Sequence, residues 1–173
     1  MAKELERVGK LSLVDAKIKH VDEIKDRLRF PDVRECLIHG VSPTQALTDP
    51  FYVLGARNFS IRFDEKIIGM CGTVPIDNSH ARVWMLGTED IDENWISFLK
   101  GSRKVVDILQ GAYQKIENFI PIDHEHTIMW LQWCGFELDE NMYEVSSHSM
   151  VRFIRCKKTK NNVYYLPTRP VMH

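Results

Sequence analysis

The stretch IIGMCGTV, residues 67–74, most restricts what this chain can become. It is apolar almost without interruption, relieved only by the small residues Gly69 and Gly72. A strand with one wet face alternates apolar and polar residues, whereas a continuous run belongs to a strand covered on both faces. The neighbouring segments agree. NFSIRF (58–63) alternates, with Phe59, Ile61 and Phe63 on one side. ARVWMLGT (81–88) reads as a second buried strand, and DEK (64–66) and DNSH (77–80) supply the turns. The middle of the chain is thus a three-stranded meander that needs cover from two sides.

The flanking segments provide that cover. LSLVDAKI (11–18) reads as a short first strand. Val21, Ile24 and Leu28 fall at helical spacing, and Phe30-Pro31 interrupts that helix. A second helix is predicted from about Asp32 to Ile38, with Gly40 as its stop. SPTQ (42–45) is a helix start, with Ser42 as N-cap, Pro43 in the first turn and Gln45 closing the box. From Ser102 onward Val106, Leu109, Tyr113 and Ile116 share a helical face, entered through Gly101. NFIPI (118–122) reads as a strand, Thr127 to Cys134 as a short helix ended by Gly135, and FELDE (136–140) with HSMVRFIR (148–155) as a closing pair of strands. The expected class is α/β (α+β), a central mixed and mostly antiparallel sheet with helices on both faces. A length of 173 residues suits one domain, read as 1–156, with 157–173 as a C-terminal tail.

Charge excludes some partners. With 23 Lys and Arg against 24 Asp and Glu, nothing calls broadly for nucleic acid or an acidic membrane. Arg152, Arg155, Lys157, Lys158 and Lys160 cluster, and read as the solvated end of the last strand. Cys36, Cys71, Cys134 and Cys156 are widely spaced among apolar neighbours and read as reduced thiols. No apolar stretch approaches the roughly 20 residues needed to cross a bilayer, and MAKELERVGK lacks the core of a signal peptide. The chain therefore reads as intracellular, or as packaged inside a particle. DHEH (123–126) places His124 and His126 two apart, too few convergent ligands for a metal, so none is expected. Cys71 reads as packing rather than as a nucleophile. Trp84, Trp130 and Trp133 read as core, and Trp95 as an exposed contact residue.

The order of elements, with Gly135-Phe136 after a short helix, resembles the GCN5-related N-acetyltransferase (GNAT) fold over roughly residues 11–156. PIDHEHTIMWLQWCGF (121–136) is similar to the family's strand, helix and Gly-Phe segment, with Ile128 in the isoleucine position. VWMLGT followed by the Gly101 helix is similar to its fourth strand and coenzyme loop. DVRECLIHGVSPTQAL, WMLGT, FLKGSRKVVD and WLQWCGF, in that order, further resemble the GNAT-like internal virion protein A group of short-tailed, podovirus-type bacteriophages. That second likeness implies a phage origin and a place in virion morphogenesis.

The family resemblance implies acetyl-CoA as cofactor, entering between splayed strands like a missing strand. Its pantetheine arm would lie along Met85, Leu86 and Gly87, with Trp130 beside it. Its pyrophosphate would sit at a helix start, where unpaired N–H donors face an anion. The family's loop pattern falls on Phe98, Gly101 and Arg103, of which only Gly101 matches. Lys100, Ser102, Arg103 and Lys104 would add charge and donors around it. Leu131 stands where a tyrosine usually protonates the leaving thiolate, and Tyr143 is another donor, in a loop that no element claims. His124 occupies the family's asparagine position. Glu89, Asp90 or Asp92, in the acidic segment EDIDEN, would serve as base for an amine.

Three functions stay open at the level of sequence. One is an acetyl-CoA-dependent N-acetyltransferase acting on a small amine or a host protein. The second is a catalytically silent scaffold serving as an internal virion or morphogenesis protein, with other virion proteins as partners. The third is an anti-defence factor that modifies or binds a host protein. They place the chain in the host cytoplasm or in the virion.

Overall fold

The computed structural model describes residues 3–158; the remainder of the tail, with Lys160, lies outside the described residues. Eight strands form one sheet in the order β1-β2-β3-β4-β5-β6-β8-β7. β1 (Glu4–Val8) and β2 (Leu11–Asp15) make a hairpin that leads into β3 (Arg57–Phe63), β4 (Lys66–Pro75) and β5 (His80–Gly87). All neighbours pair antiparallel except β5 with β6 (Lys115–Pro121), and β7 (Glu137–Val145) forms the far edge beside β8 (His148–Cys156). A parallel pair needs a crossover. Here it is a short helix, α4 (Asp90–Glu93), followed by the long α5 (Trp95–Gln110).

The predicted meander is β3, β4 and β5, and β4 has the buried centre that its apolar run requires. Its side chains alternate between two cores. Cys71 packs in the core shared with α5 and α6 (Glu125–Trp133), and Met70 in the core shared with α1 (Ile18–Ile24), α2 (Phe30–Ile38) and α3 (Pro43–Thr48). Helices thus cover both faces, as expected. The box at the start of α3 is formed in full: the Gln45 N–H donates to Ser42 Oγ at 3.1 Å, and the Ser42 N–H to Gln45 Oε1 at 3.0 Å.

Several elements differ from the sequence reading: α5 ends at Gln110, so Tyr113 lies beyond it and Ile116 falls in β6 rather than on the helical face. β1 is a strand that charge conceals: ELERV lies at the sheet edge and is mostly exposed, as edge strands that resist aggregation often are. Gly9, with φ of 61°, makes the tight turn into β2 that residues with a Cβ resist. The last difference bears on function. α5 begins at Trp95, not Ser102, so Gly101 is inside the helix.

Candidate functional site

β5 and β6 pair through only three residue couples, ending at Arg82 and Glu117. Beyond them the strands diverge. Asn118 marks the point of divergence by donating its Nδ2–H to the Val83 carbonyl at 2.8 Å, a side chain standing in for the next backbone bond. The opening leads into a cavity of about 560 Å³, within the range of small-molecule and cofactor sites. Val83 and Met85 of β5, Ile120 of β6, Ser102 of α5 and Trp130 of α6 line its inner side. On the other side of the sheet it opens among Arg29, Asp32, Glu35 and His39, with Trp84 at the rim.

Backbone phase decides what the opening offers. The Thr88 N–H bonds to the Ile68 carbonyl of β4 at 2.9 Å, so even-numbered residues of β5 face β4 and odd-numbered ones face the gap. Val83 is held by Asn118. The Gly87 N–H donates to Asp32 Oδ2 at 2.7 Å, and its carbonyl accepts the Arg29 N–H at 2.9 Å. Met85 lies between them with no strand partner on that edge among the described residues. Its N–H and C=O are therefore available to a carbonyl and an amide in the gap.

Glu35 is the chemically distinctive group. It projects from α2 toward the cavity, partly buried, and burial pushes its carboxyl up from 4.5 to about 8, with the Asp32 charge adding to the shift and Arg29 opposing it. Burial also raises Asp32, against the Arg29 guanidinium and the Gly87 N–H that favour its ionised form. Two thiols reach the same space and are inert: burial raises Cys36 to about 11 and Cys71 to about 12.

The residues assigned from sequence separate into those the fold gathers and those it disperses. Met85, Leu86, Ser102 and Trp130 line the cavity, where the Trp130 indole N–H donates to Ser102 Oγ at 3.0 Å. Gly87 follows Leu86 at the end of β5 outside that lining, its backbone already engaged by Asp32 and Arg29. Gly101 needs correction. It is buried, and a Cβ there would lie 2.7 Å from Leu11 Cδ2, so the glycine lets α5 sit close on β2 rather than cradling a phosphate. Two of the three basic residues around it have other partners, and Lys100 is exposed. The Arg103 guanidinium stacks on Trp133 and its Nε–H donates to the Trp133 carbonyl, while Lys104 pairs with Glu6 of β1. Gly101→Ala is expected to cost about 1–2 kcal/mol in urea unfolding, as a mild overpacking that Leu11 partly absorbs, and to leave acetyl-CoA affinity unchanged.

The assigned acids and histidine have structural duties. Asp90 is held by Lys66 at 2.6 Å, Arg27 at 2.9 Å and the Thr88 hydroxyl at 2.8 Å. Burial raises its carboxyl, but these hydrogen bonds outweigh burial and hold it below the usual range, so it is a junction of ion pairs rather than a base. Asp92 pairs with Arg29, and Glu89 is exposed just before α4. The actual start of α5 is thus preceded by acids, with Asp90 and Asp92 neutralised from the α1–α2 connection and Lys66. His124 begins α6 without capping it and accepts from Arg34 at 3.4 Å, while Arg34 grips Asp123 through two hydrogen bonds. Burial lowers its pKa, so it is a neutral bridge between α6 and α2. Tyr143 lies in β7 and donates its hydroxyl to Asp139.

No protein-family model matches the sequence, and no curated protein sequence matches it. Among solved structures, RimL, the ribosomal L7/L12 alpha-N-protein acetyltransferase in complex with coenzyme A, superposes with a TM-score of 0.66 at 12% identity, over 89% of this chain and 98% of its own. MccE, the microcin C7 self-immunity acetyltransferase with acetyl-CoA and AMP, gives 0.61 at 15% identity, over 87% and 94%. A spermidine N-acetyltransferase, SpeG from Vibrio cholerae, gives 0.62 at 10% identity, over 86% and 95%. The chain has the GNAT fold.

Proposed function

We propose that the protein is an acyl-CoA-dependent N-acyltransferase, with acetyl-CoA as its simplest donor. The observation that carries this reading is the divergence of β5 and β6 beyond Arg82 into a cavity with the Met85 backbone facing the gap. A thioester arm laid along that edge would find one N–H for the carbonyl whose oxygen gains charge during attack. The donor supplies an activated acyl group; the chain supplies position and a base. Glu35 stands on the opposite, open side, where an amine would approach. A carboxylate whose pKa is about 8 is matched to an α-amino group, at about 7.7–8.0, better than to a lysine, at about 10.4. It takes the proton as nitrogen bonds to the carbonyl carbon and the carbon–sulfur bond breaks, and can return it to the departing thiolate. That route supplies the proton that Leu131 cannot give and that Tyr143, whose hydroxyl donates to Asp139, directs elsewhere. The solved structures with this fold that carry CoA or acetyl-CoA support the donor, and the α-N-protein and spermidine acetyltransferases among them support an amine acceptor.

A second reading has its own observation. Asp32 and Arg29 occupy both gap-facing backbone groups of Gly87, and acids precede the helix start where a diphosphate would rest. A fold closed in this way suits the silent morphogenesis scaffold implied by the likeness to phage internal virion proteins. One titration separates the two. Acetyl-CoA at a hundredfold excess over its dissociation constant should stabilise a binding protein by about 2.7 kcal/mol, a rise in Tm of roughly 5–10 °C at this chain length. No shift at millimolar acetyl-CoA or with any longer acyl-CoA would remove the acyltransferase reading and favour the scaffold.

A further inference from the structure

We infer that the acyl group this site is shaped for is a medium-length linear chain rather than acetyl. This rests on the acyltransferase reading and specifies its donor. The cavity has two chemically different ends. Arg29, Asp32, Glu35 and His39 gather at the open side. The inner end, beneath α5, is bounded by Val83, Val105, Val106, Leu109, Phe136 and Phe153. None of those side chains carries a polar atom, and all except Val105 are buried.

The position of the reacting carbon follows from Met85 on one edge and Glu35 on the other. In the plane of the sheet the slot ends where Asn118 meets Val83. The lining does not end there; it includes Ser102, Val105, Val106 and Leu109 along α5. Leu109 lies seven residues beyond Ser102, a rise of about 10 Å along the helix axis. An acetyl group would stop near the start of that path. Apolar space of this kind holds water poorly, and none of these six side chains offers a hydrogen bond that would select a polar acyl group. The Cys71 thiol, also in the lining, is held protonated by burial, so the chamber accommodates and does not react. Chain length is read by burial alone, at about fourfold in affinity for each methylene fully taken from water.

The test compares CoA, acetyl-CoA and octanoyl-CoA on the full chain by calorimetry, with amine-dependent thiol release as a second readout. Octanoyl-CoA should bind at least about tenfold more tightly than acetyl-CoA, far short of the limit for burial of all its additional methylenes. Val106→Trp should remove that advantage and leave acetyl-CoA binding as it was. Val105→Phe, at a partly exposed position less prone to unfold the chain, should reduce it in the same direction. Equal affinities for the two donors would overturn the chamber and leave the acyltransferase reading intact. An octanoyl advantage untouched in folded Val105→Phe and Val106→Trp proteins would place the chain elsewhere and overturn the inference equally. Failure of every donor to bind would remove both.

Discussion

Glu35→Gln should lower the rate of acyl transfer by about 10²–10⁴-fold, the usual contribution of a positioned general base, with little change in the affinity for acyl-CoA. The pH profile carries the diagnostic content. In the wild-type protein, activity should rise with pH to an apparent pKa near 8, and the glutamine variant should lose that limb. Stability should change in the opposite direction. The folded-state pKa lies above the ordinary value of 4.5, so the folded protein holds a proton that the unfolded chain releases. The associated stability is complete below about 4.5 and declines as pH rises toward 8. Glu35→Gln should therefore gain stability relative to wild type across that interval, measured by urea midpoints at pH 5 and pH 8.5. A purely structural glutamate, exchanged for an amide, would not combine a lost kinetic limb with a gain in stability at high pH.

Gly72→Ala should be among the most destabilising single-methyl additions in the molecule, at about 3 kcal/mol, the upper part of the range for overpacking. The new Cβ would stand 2.3 Å from the Arg57 carbonyl oxygen, 2.9 Å from the Trp84 indole nitrogen and 3.0 Å from Asn58 Oδ1. The first of these is backbone in the paired strand, so β3 and β4 would have to separate. At this chain length the loss corresponds to a fall in Tm of roughly 6–12 °C, measurable by thermal unfolding. The effect should also reach the site. Trp84 crosses the strand above Gly72 and forms part of the cavity rim, so surviving folded protein should show altered tryptophan fluorescence and weakened donor binding.

The sheet was readable because burial on two faces imprints itself on composition. A central strand such as β4 has no polar phase to lose, and the start of α3 announces itself through Ser42 and Gln45 side chains that bond only locally. β1 was hidden for the opposite reason, since an edge strand has little burial to record. The error at Gly101 has a tertiary cause. Glycine weakens a helix in isolation, which suggests an entry point; close packing on Leu11 compensates, and the helix runs through it from Trp95. Glu35 escaped notice because its pKa depends on a cavity that forms only when α2, β5 and β6 meet. A faint signal was present. Asp32, Glu35 and Cys36 stand at i, i+3 and i+4, which places two acids on the side of α2 where Cys36 is buried. Two carboxyls on an apolar stripe are costly unless a partner or a protonation change relieves them.

Asn118 gives the site a definable depth. Parallel strands tend to continue pairing once begun, and here a single amide ends the ladder by taking the carbonyl that the next backbone donor would use. Each further residue of pairing would shorten the slot by about 3.3 Å. The length of donor that can lie between the two strands is therefore set by where one side chain interrupts a zipper, and a lineage could lengthen or abolish the slot by moving that stop along β6 without altering the rest of the sheet.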